Sequence, residues 1–125
     1  MSGSDYEREL LNILEDEYGW LAVRSAGSMG KGDIIAIHPK SDNSPIVIEA
    51  KKTSKDRHYC SQDPEQFEMM SGHAERGINS VYAVRHTTGS LDNRWQIHWL
   101  DGNEKSPSVL KREDGLNLDT VFNVE

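Results

Sequence analysis

One stretch restricts the fold more than any other. Asp33-Ile34-Ile35-Ala36-Ile37 is followed by His38-Pro39-Lys40-Ser41-Asp42-Asn43-Ser44-Pro45 and then Ile46-Val47-Ile48-Glu49-Ala50-Lys51. Two apolar, β-branched runs separated by turn formers predict two strands joined by a turn. Side chains alternate along a strand, so Val47, Glu49 and Lys51 share one side and Ile46, Ile48 and Ala50 the other. A hairpin partner brings Asp33 close to the charged end. Two carboxylates and an ammonium would then surround one point. Carboxylate oxygens suit a hard cation such as Mg²⁺. An ammonium can stabilise charge on a phosphate oxygen. On spacing alone, the same residues also fit a strand end that reaches solvent with its charges in ion pairs.

Length and composition set outer bounds. The chain of 125 residues is enough for one domain with a core of its own, expected to span 1–125. No long apolar run suggests a membrane span or secretory signal. A single cysteine, Cys60, excludes an intramolecular disulfide framework and a cysteine-based zinc site. It fits a reducing, cytoplasmic setting. The formal net charge of −7 argues, taken whole, against nucleic acid. One island runs the other way: Lys51, Lys52, Lys55 and Arg57, against Asp56 alone. An acidic shell around a basic strip is compatible with a salt-rich cytoplasm, where surface attraction is heavily screened.

Ser4-Asp5-Tyr6-Glu7 has the form of a capping box. The helix after it carries an apolar stripe through Tyr6, Leu10, Leu11, Ile13, Leu14 and Tyr18, and Gly19 is suited to end it. A strand over Trp20–Arg24 leads into Ser25-Ala26-Gly27-Ser28-Met29-Gly30-Lys31-Gly32. That small-residue loop matches no nucleotide-binding P-loop. Beyond the basic strip, Asp63-Pro64-Glu65-Gln66 opens a second helix: Asp at the cap, Pro at N1. Its apolar face has Phe67, Met69, Met70 and Ala74, and Gly77 stops it. Strands are expected at Val81–Val84 and at Arg94–Trp99, the latter with Trp95, Ile97 and Trp99 on one face. The tail from about Asp101 is polar except for Val121 and Phe122, and no element is assigned to it. None of the five histidines shows zinc-ligand spacing. His58 stands out only for its place beside the basic strip. The order, helix, three strands, helix, two strands, predicts an α/β fold: a mixed central sheet flanked by helices.

Four segments taken together resemble the archaeal Holliday junction resolvases, of the PD-(D/E)XK nuclease superfamily. They are Glu7-Arg8-Glu9-Leu10-Leu11, Val23-Arg24-Ser25-Ala26-Gly27-Ser28, Gly32-Asp33-Ile34-Ile35-Ala36 and Ile48-Glu49-Ala50-Lys51. Order and spacing are family-like over roughly residues 6–100, and the Arg-Ser-Ala-Gly-Ser run is the most distinctive part. Tyr82-Ala83-Val84-Arg85 and Trp95 are similar as well. Two departures stand out: Gly32, where the superfamily name has proline, and the acidic balance of the whole chain.

The resemblance implies a restriction-endonuclease-like fold and a metal-dependent endonuclease, active as a homodimer, that cuts four-way DNA junctions. Glu7, Asp33 and Glu49 become ligands to Mg²⁺, with Mn²⁺ as a substitute. Asp33 and Glu49 are thereby catalytic, and Lys51 stabilises the charged transition state or helps deprotonate the attacking water. Ser28 belongs to the catalytic loop near the scissile phosphate, and Arg24 holds a phosphate oxygen. Arg8, Lys31, Lys52, Lys55 and Arg57 are expected at the DNA backbone. The other readings are a related nuclease for another branched or damaged DNA, and a junction-binding protein without catalysis.

Overall fold

The computed structural model describes residues 4–25, 33–89 and 94–124. Helix α1 (Ser4–Asp16) precedes strands β1 (Leu21–Arg24), β2 (Ile34–Ile37), β3 (Ile46–Thr53) and β4 (Arg57–Tyr59). Helix α2 (Pro64–Glu75) follows, then β5 (Asn79–His86), β6 (Trp95–Trp99), β7 (Val109–Lys111) and the short α3 (Leu118–Phe122). Five strands make one mixed sheet in the order β1-β2-β3-β5-β6. Only β3 and β5 run parallel, and α2 makes the crossover between them. The expected α/β architecture of a mixed sheet with flanking helices is present.

The alternation in β3 builds two cores. Ile46, Ile48 and Ala50 face one side, joined by Val81, Ala83 and Ile97 and covered by Leu10 and Leu14 of α1. Val47, Tyr82 and Val84 face the other, covered by Phe67 and Met70 of α2. Both faces of β3 are dry, so from Ile46 to Ala50 every residue is buried. That accounts for its nearly continuous apolar run.

Local signals act where expected. Asp63 caps α2 by accepting a hydrogen bond from the Gln66 N–H at 3.3 Å, and Pro64 takes the first helical position. Gly19 and Gly77 hold φ of 73° and 88°, a conformation open to glycine at little cost, as each chain segment leaves its helix. Helix α1 already includes Ser4, one residue earlier than a cap at Ser4 requires.

The structure corrects the sequence reading in two places, the basic stretch and the tail. The basic stretch after Lys51 is not simply a loop, because β3 continues to Thr53 and β4 follows. The tail is structured: β7 pairs antiparallel with β4, setting His58 opposite Leu110. Phe122 is fully buried, its ring edge-on to Trp20 at 5.2 Å, and the Trp20 indole N–H donates to the Phe122 carbonyl at 2.8 Å. Finally, Trp95 and Ile97 are buried but Trp99 remains 38% exposed, whereas Gln96 and His98 on the opposite face are buried. Side chains on both faces of β6 are therefore packed.

Phe122→Ala should therefore cost about 3–5 kcal/mol of unfolding free energy, the usual price of an aromatic cavity. Urea denaturation measures it, and a loss below about 1 kcal/mol would mean that the C-terminal segment is not part of the core.

Candidate active site

Beyond the paired residues Ile34 and Ile48, the chain places Asp33 opposite Glu49. The Asp33 N–H donates to the Ile48 carbonyl at 2.9 Å. Its side chain turns back, and Oδ2 accepts from the Ala50 N–H at 2.9 Å. Backbone pairing and side-chain bonding thus both hold Asp33 against β3. Glu49 is 2% exposed. Burial, then a hydrogen bond to Asp33 and the charge of Asp33, push its carboxyl up to about 9, while Lys51 works the other way. A protonated Glu49 donates to Asp33. The Lys51 Nζ lies 3.7 Å from Glu49 Oε2.

Glu7 approaches from the first turn of α1. Its Oε1 accepts from Arg24 at 3.3 Å. Burial and the charge of Asp33 raise its pKa, and Arg24 and Lys51 pull it back. Neighbouring Tyr6 donates its hydroxyl to the Ala50 carbonyl at 3.3 Å. Burial and the charges of Glu7, Asp33 and Glu49 push that phenol up to about 12, which keeps it protonated.

The structure thus brings Asp33, Glu49 and Lys51 together, with Glu7 in electrostatic reach but turned to Arg24. Among the described residues, no group of three or more His, Cys, Asp or Glu side chains is arranged to hold a metal ion. The donor set nonetheless fits a hard divalent cation. Two carboxylates close enough to share a proton are short of positive charge, and such ions commonly take one or two carboxylates and fill the remaining positions with water.

The remaining predicted residues divide by location. Lys52, Lys55 and Arg57 line one groove of about 240 Å³. The Lys52 ammonium also sits 5.7 Å from the Tyr6 ring centroid. Arg24 is on β1 and Arg8 is exposed on α1. Ser28 and Lys31 lie outside the described residues.

The sequence reading passed over Glu9, which clamps α1 to the far edge of the sheet. It accepts from Arg85 Nε at 2.8 Å and from the Trp95 indole at 2.7 Å. Burial alone would favour its neutral form, yet these two hydrogen bonds and the charges of Arg85 and Arg94 lower its pKa. Glu9 is saturated with partners, which separates its role from that of Glu7 two positions earlier.

A mixed five-stranded sheet flanked by helices, with acidic residues and a lysine on its central hairpin, is a restriction-endonuclease-like architecture. The solved structure of Archaeoglobus fulgidus Hjc, a Holliday junction resolvase from an archaeal hyperthermophile, superposes with a TM-score of 0.70 at 21% identity, over 95% of this chain and 93% of that one. At that identity the likeness bears on the fold. The family model for archaeal Holliday junction resolvase (hjc) matches residues 1–125. The chain belongs to the archaeal Holliday junction resolvase family, a family of nucleases. No curated protein sequence matches it.

The buried acid gives a pH test in metal-free buffer. Below pH about 4.5 Glu49 carries its proton whether the chain is folded or not; between there and about 9 only the folded chain retains it. The contribution of Glu49 to stability is therefore intact at low pH and is lost as pH rises through the folded value. Glu49→Gln should match the wild type near pH 4 and exceed its unfolding free energy by on the order of 3 kcal/mol at pH 8. Urea titrations at both pH values decide this, and a difference that does not grow with pH would contradict the crowding of Asp33 and Glu49.

Proposed function

We propose that this chain is a Mg²⁺-dependent endonuclease that resolves four-way DNA junctions, acting as a homodimer that nicks opposite strands in pairs. The observation that carries the reading is the meeting of Asp33, Glu49 and Lys51 at the end of the central hairpin. A two-fold dimer would supply two equivalent sites at a fixed separation, as paired cuts require.

Asp33 and Glu49 would hold the divalent ion, with Glu7 as the third carboxylate once it leaves Arg24. Mn²⁺ should substitute, because the donors are hard oxygens. A bound divalent ion supplies Lewis-acid polarisation of the phosphate and lowers the pKa of a coordinated water. Lys51 stabilises negative charge on the phosphate as the water adds and the 3′-oxygen leaves. Arg24, released from Glu7, offers a planar fork of donors to a phosphate oxygen. Ser28 is assigned to the scissile phosphate. Arg8, Lys31, Lys52, Lys55 and Arg57 contact the backbone. Such contacts fix position and read branch shape, with little sequence information.

Synthetic four-way junction and matched duplex, each with Mg²⁺ or EDTA, test the reading. Symmetric nicks are expected on the junction alone and with metal alone. Asp33→Ala and Glu49→Ala should each lower single-turnover cleavage by at least a thousandfold while junction affinity in EDTA changes less than about threefold. Equal loss of both properties would assign these residues to folding instead. Lys55→Ala should weaken binding and reduce the slope of log K against log salt by about one, with the chemical step unchanged.

A further inference from the structure

The outer face of the β4–β7 ribbon carries charge that the catalytic scheme leaves unused. The Arg112 N–H donates to the Asp56 carbonyl and the Cys60 N–H to the Ser108 carbonyl, so Asp56–Arg112 and Cys60–Ser108 are bonded pairs of the ladder. Bonded and unbonded pairs alternate between antiparallel strands. Arg57–Lys111 and Tyr59–Val109 are therefore the narrow, unbonded pairs, with Cα atoms about 4.5 Å apart. All four side chains point away from the buried His58 and Leu110. Arg57 and Lys111 are exposed, and Tyr59 and Val109 are 39% and 43% exposed. Two cations thus stand directly opposite one another, an arrangement that destabilises a ribbon. The chain has 21 acidic residues against 14 Lys and Arg, so neutralising partners are plentiful. Even so, neither Arg57 nor Lys111 makes a salt bridge or a side-chain hydrogen bond among the described residues. Asp56 and Glu113 border the same cavity of about 380 Å³ without an ion pair to either. The Arg112 guanidinium, also at its wall, donates to the Thr88 carbonyl at 2.8 Å. Arg57 also lines the groove that holds Lys52 and Lys55. A cationic track from β3 through Lys52, Lys55 and Arg57 therefore continues to Lys111.

We infer that Arg57 and Lys111 form a clamp for one phosphodiester of a DNA arm, which makes Lys111 a DNA contact contributed by the C-terminal segment. The inference rests on the junction-nuclease reading and deepens it by giving an arm of the substrate a place on the ribbon. A phosphate between the two cations cancels their mutual repulsion. Arg57 offers it a planar fork of donors and Lys111 a compact point charge. The next pair along the same face, Tyr59 and Val109, presents a ring and a methyl surface, which suits the sugar beside a phosphate. An acidic peptide would satisfy the same two cations. The continuity of the track with β3, where Lys51 and Lys52 stand, favours the substrate of the nuclease itself.

The test neutralises the arm phosphates one at a time. Synthetic four-way junctions are made with a single methylphosphonate at successive arm positions, and affinity is measured in EDTA so that no cleavage intervenes. At one arm position the wild type should lose roughly three- to tenfold in affinity. Lys111→Ala, weakened by a similar factor on the unmodified junction, should lose nothing further at that position. Its slope of log K against log salt should fall by about one. Its Tm should equal or exceed that of the wild type, because a repulsion has been removed. Lys105 is exposed and borders a different cavity, with Pro64 and Glu75 of α2. Lys105→Ala removes the same charge from the tail and should change affinity by less than about twofold. Additive losses for Lys111→Ala at every arm phosphate, or an unchanged salt slope, would overturn the clamp. So would an equal effect of Lys105→Ala, which would assign the loss to net charge. If the wild type binds junctions but cuts none with Mg²⁺, the nuclease reading fails separately, and the phosphate scan still decides the clamp.

Discussion

The hydrogen bond from the Ala50 N–H to the Asp33 carboxylate sets the geometry on which the site depends. The bond spans β2 and β3 where their ladder ends, and it leaves the Asp33 side chain beside Glu49. Two acidic groups at the end of a buried hairpin would ordinarily repel and splay the strands. Here the backbone amide satisfies one of them, a proton on Glu49 bridges to it, and Lys51 stands 3.7 Å away. The folded chain therefore holds its acids together at a cost to its own stability. Carboxyl groups perturbed in this way cluster at functional sites.

The sheet makes this arrangement affordable. With β3 buried on both faces, the hairpin end cannot relax by turning Glu49 outward. A shift of one residue in register would carry Ile46 and Ile48 out of the α1 core together with the charged pair. Packing and chemistry are thus specified by the same alternation. The Glu9 clamp adds a second constraint: it ties the start of α1 to Arg85 and Trp95, so Tyr6 and Glu7 arrive at the hairpin on a fixed helix.

Much of this was legible because its signals are local. The stripe of α1, the Asp63-Pro64 start of α2 and the alternation of β3 each act over a few residues, and from them the sheet-and-helix architecture and the approach of Asp33 to Glu49 follow. Glu9 was not legible. Its partners Arg85 and Trp95 stand 76 and 86 residues away, and in the sequence Glu9 is one of several acids on a solvated helix. The tail was obscure for a related reason. β7 is three residues long with one buried side chain, Leu110, so it shows no period to detect. A cavity beside Lys51 is lined by residues of α1, β3, β4, α2, β5 and the turn between β4 and α2, and no single stretch announces it.

The ribbon of β4 and β7 gives the C-terminal segment an influence beyond its own residues. The Arg112 N–H donates to the Asp56 carbonyl at 2.8 Å and the Cys60 N–H to the Ser108 carbonyl at 3.0 Å, bracketing β4, which begins at Arg57, two residues after Lys55. The cations facing the groove are thus braced by a part of the chain that supplies none of them. A shortened chain ending near residue 101 would retain every proposed metal ligand and every one of those cations, yet lose the scaffold that spaces them. Domain boundaries drawn from motif residues alone would cut through that support.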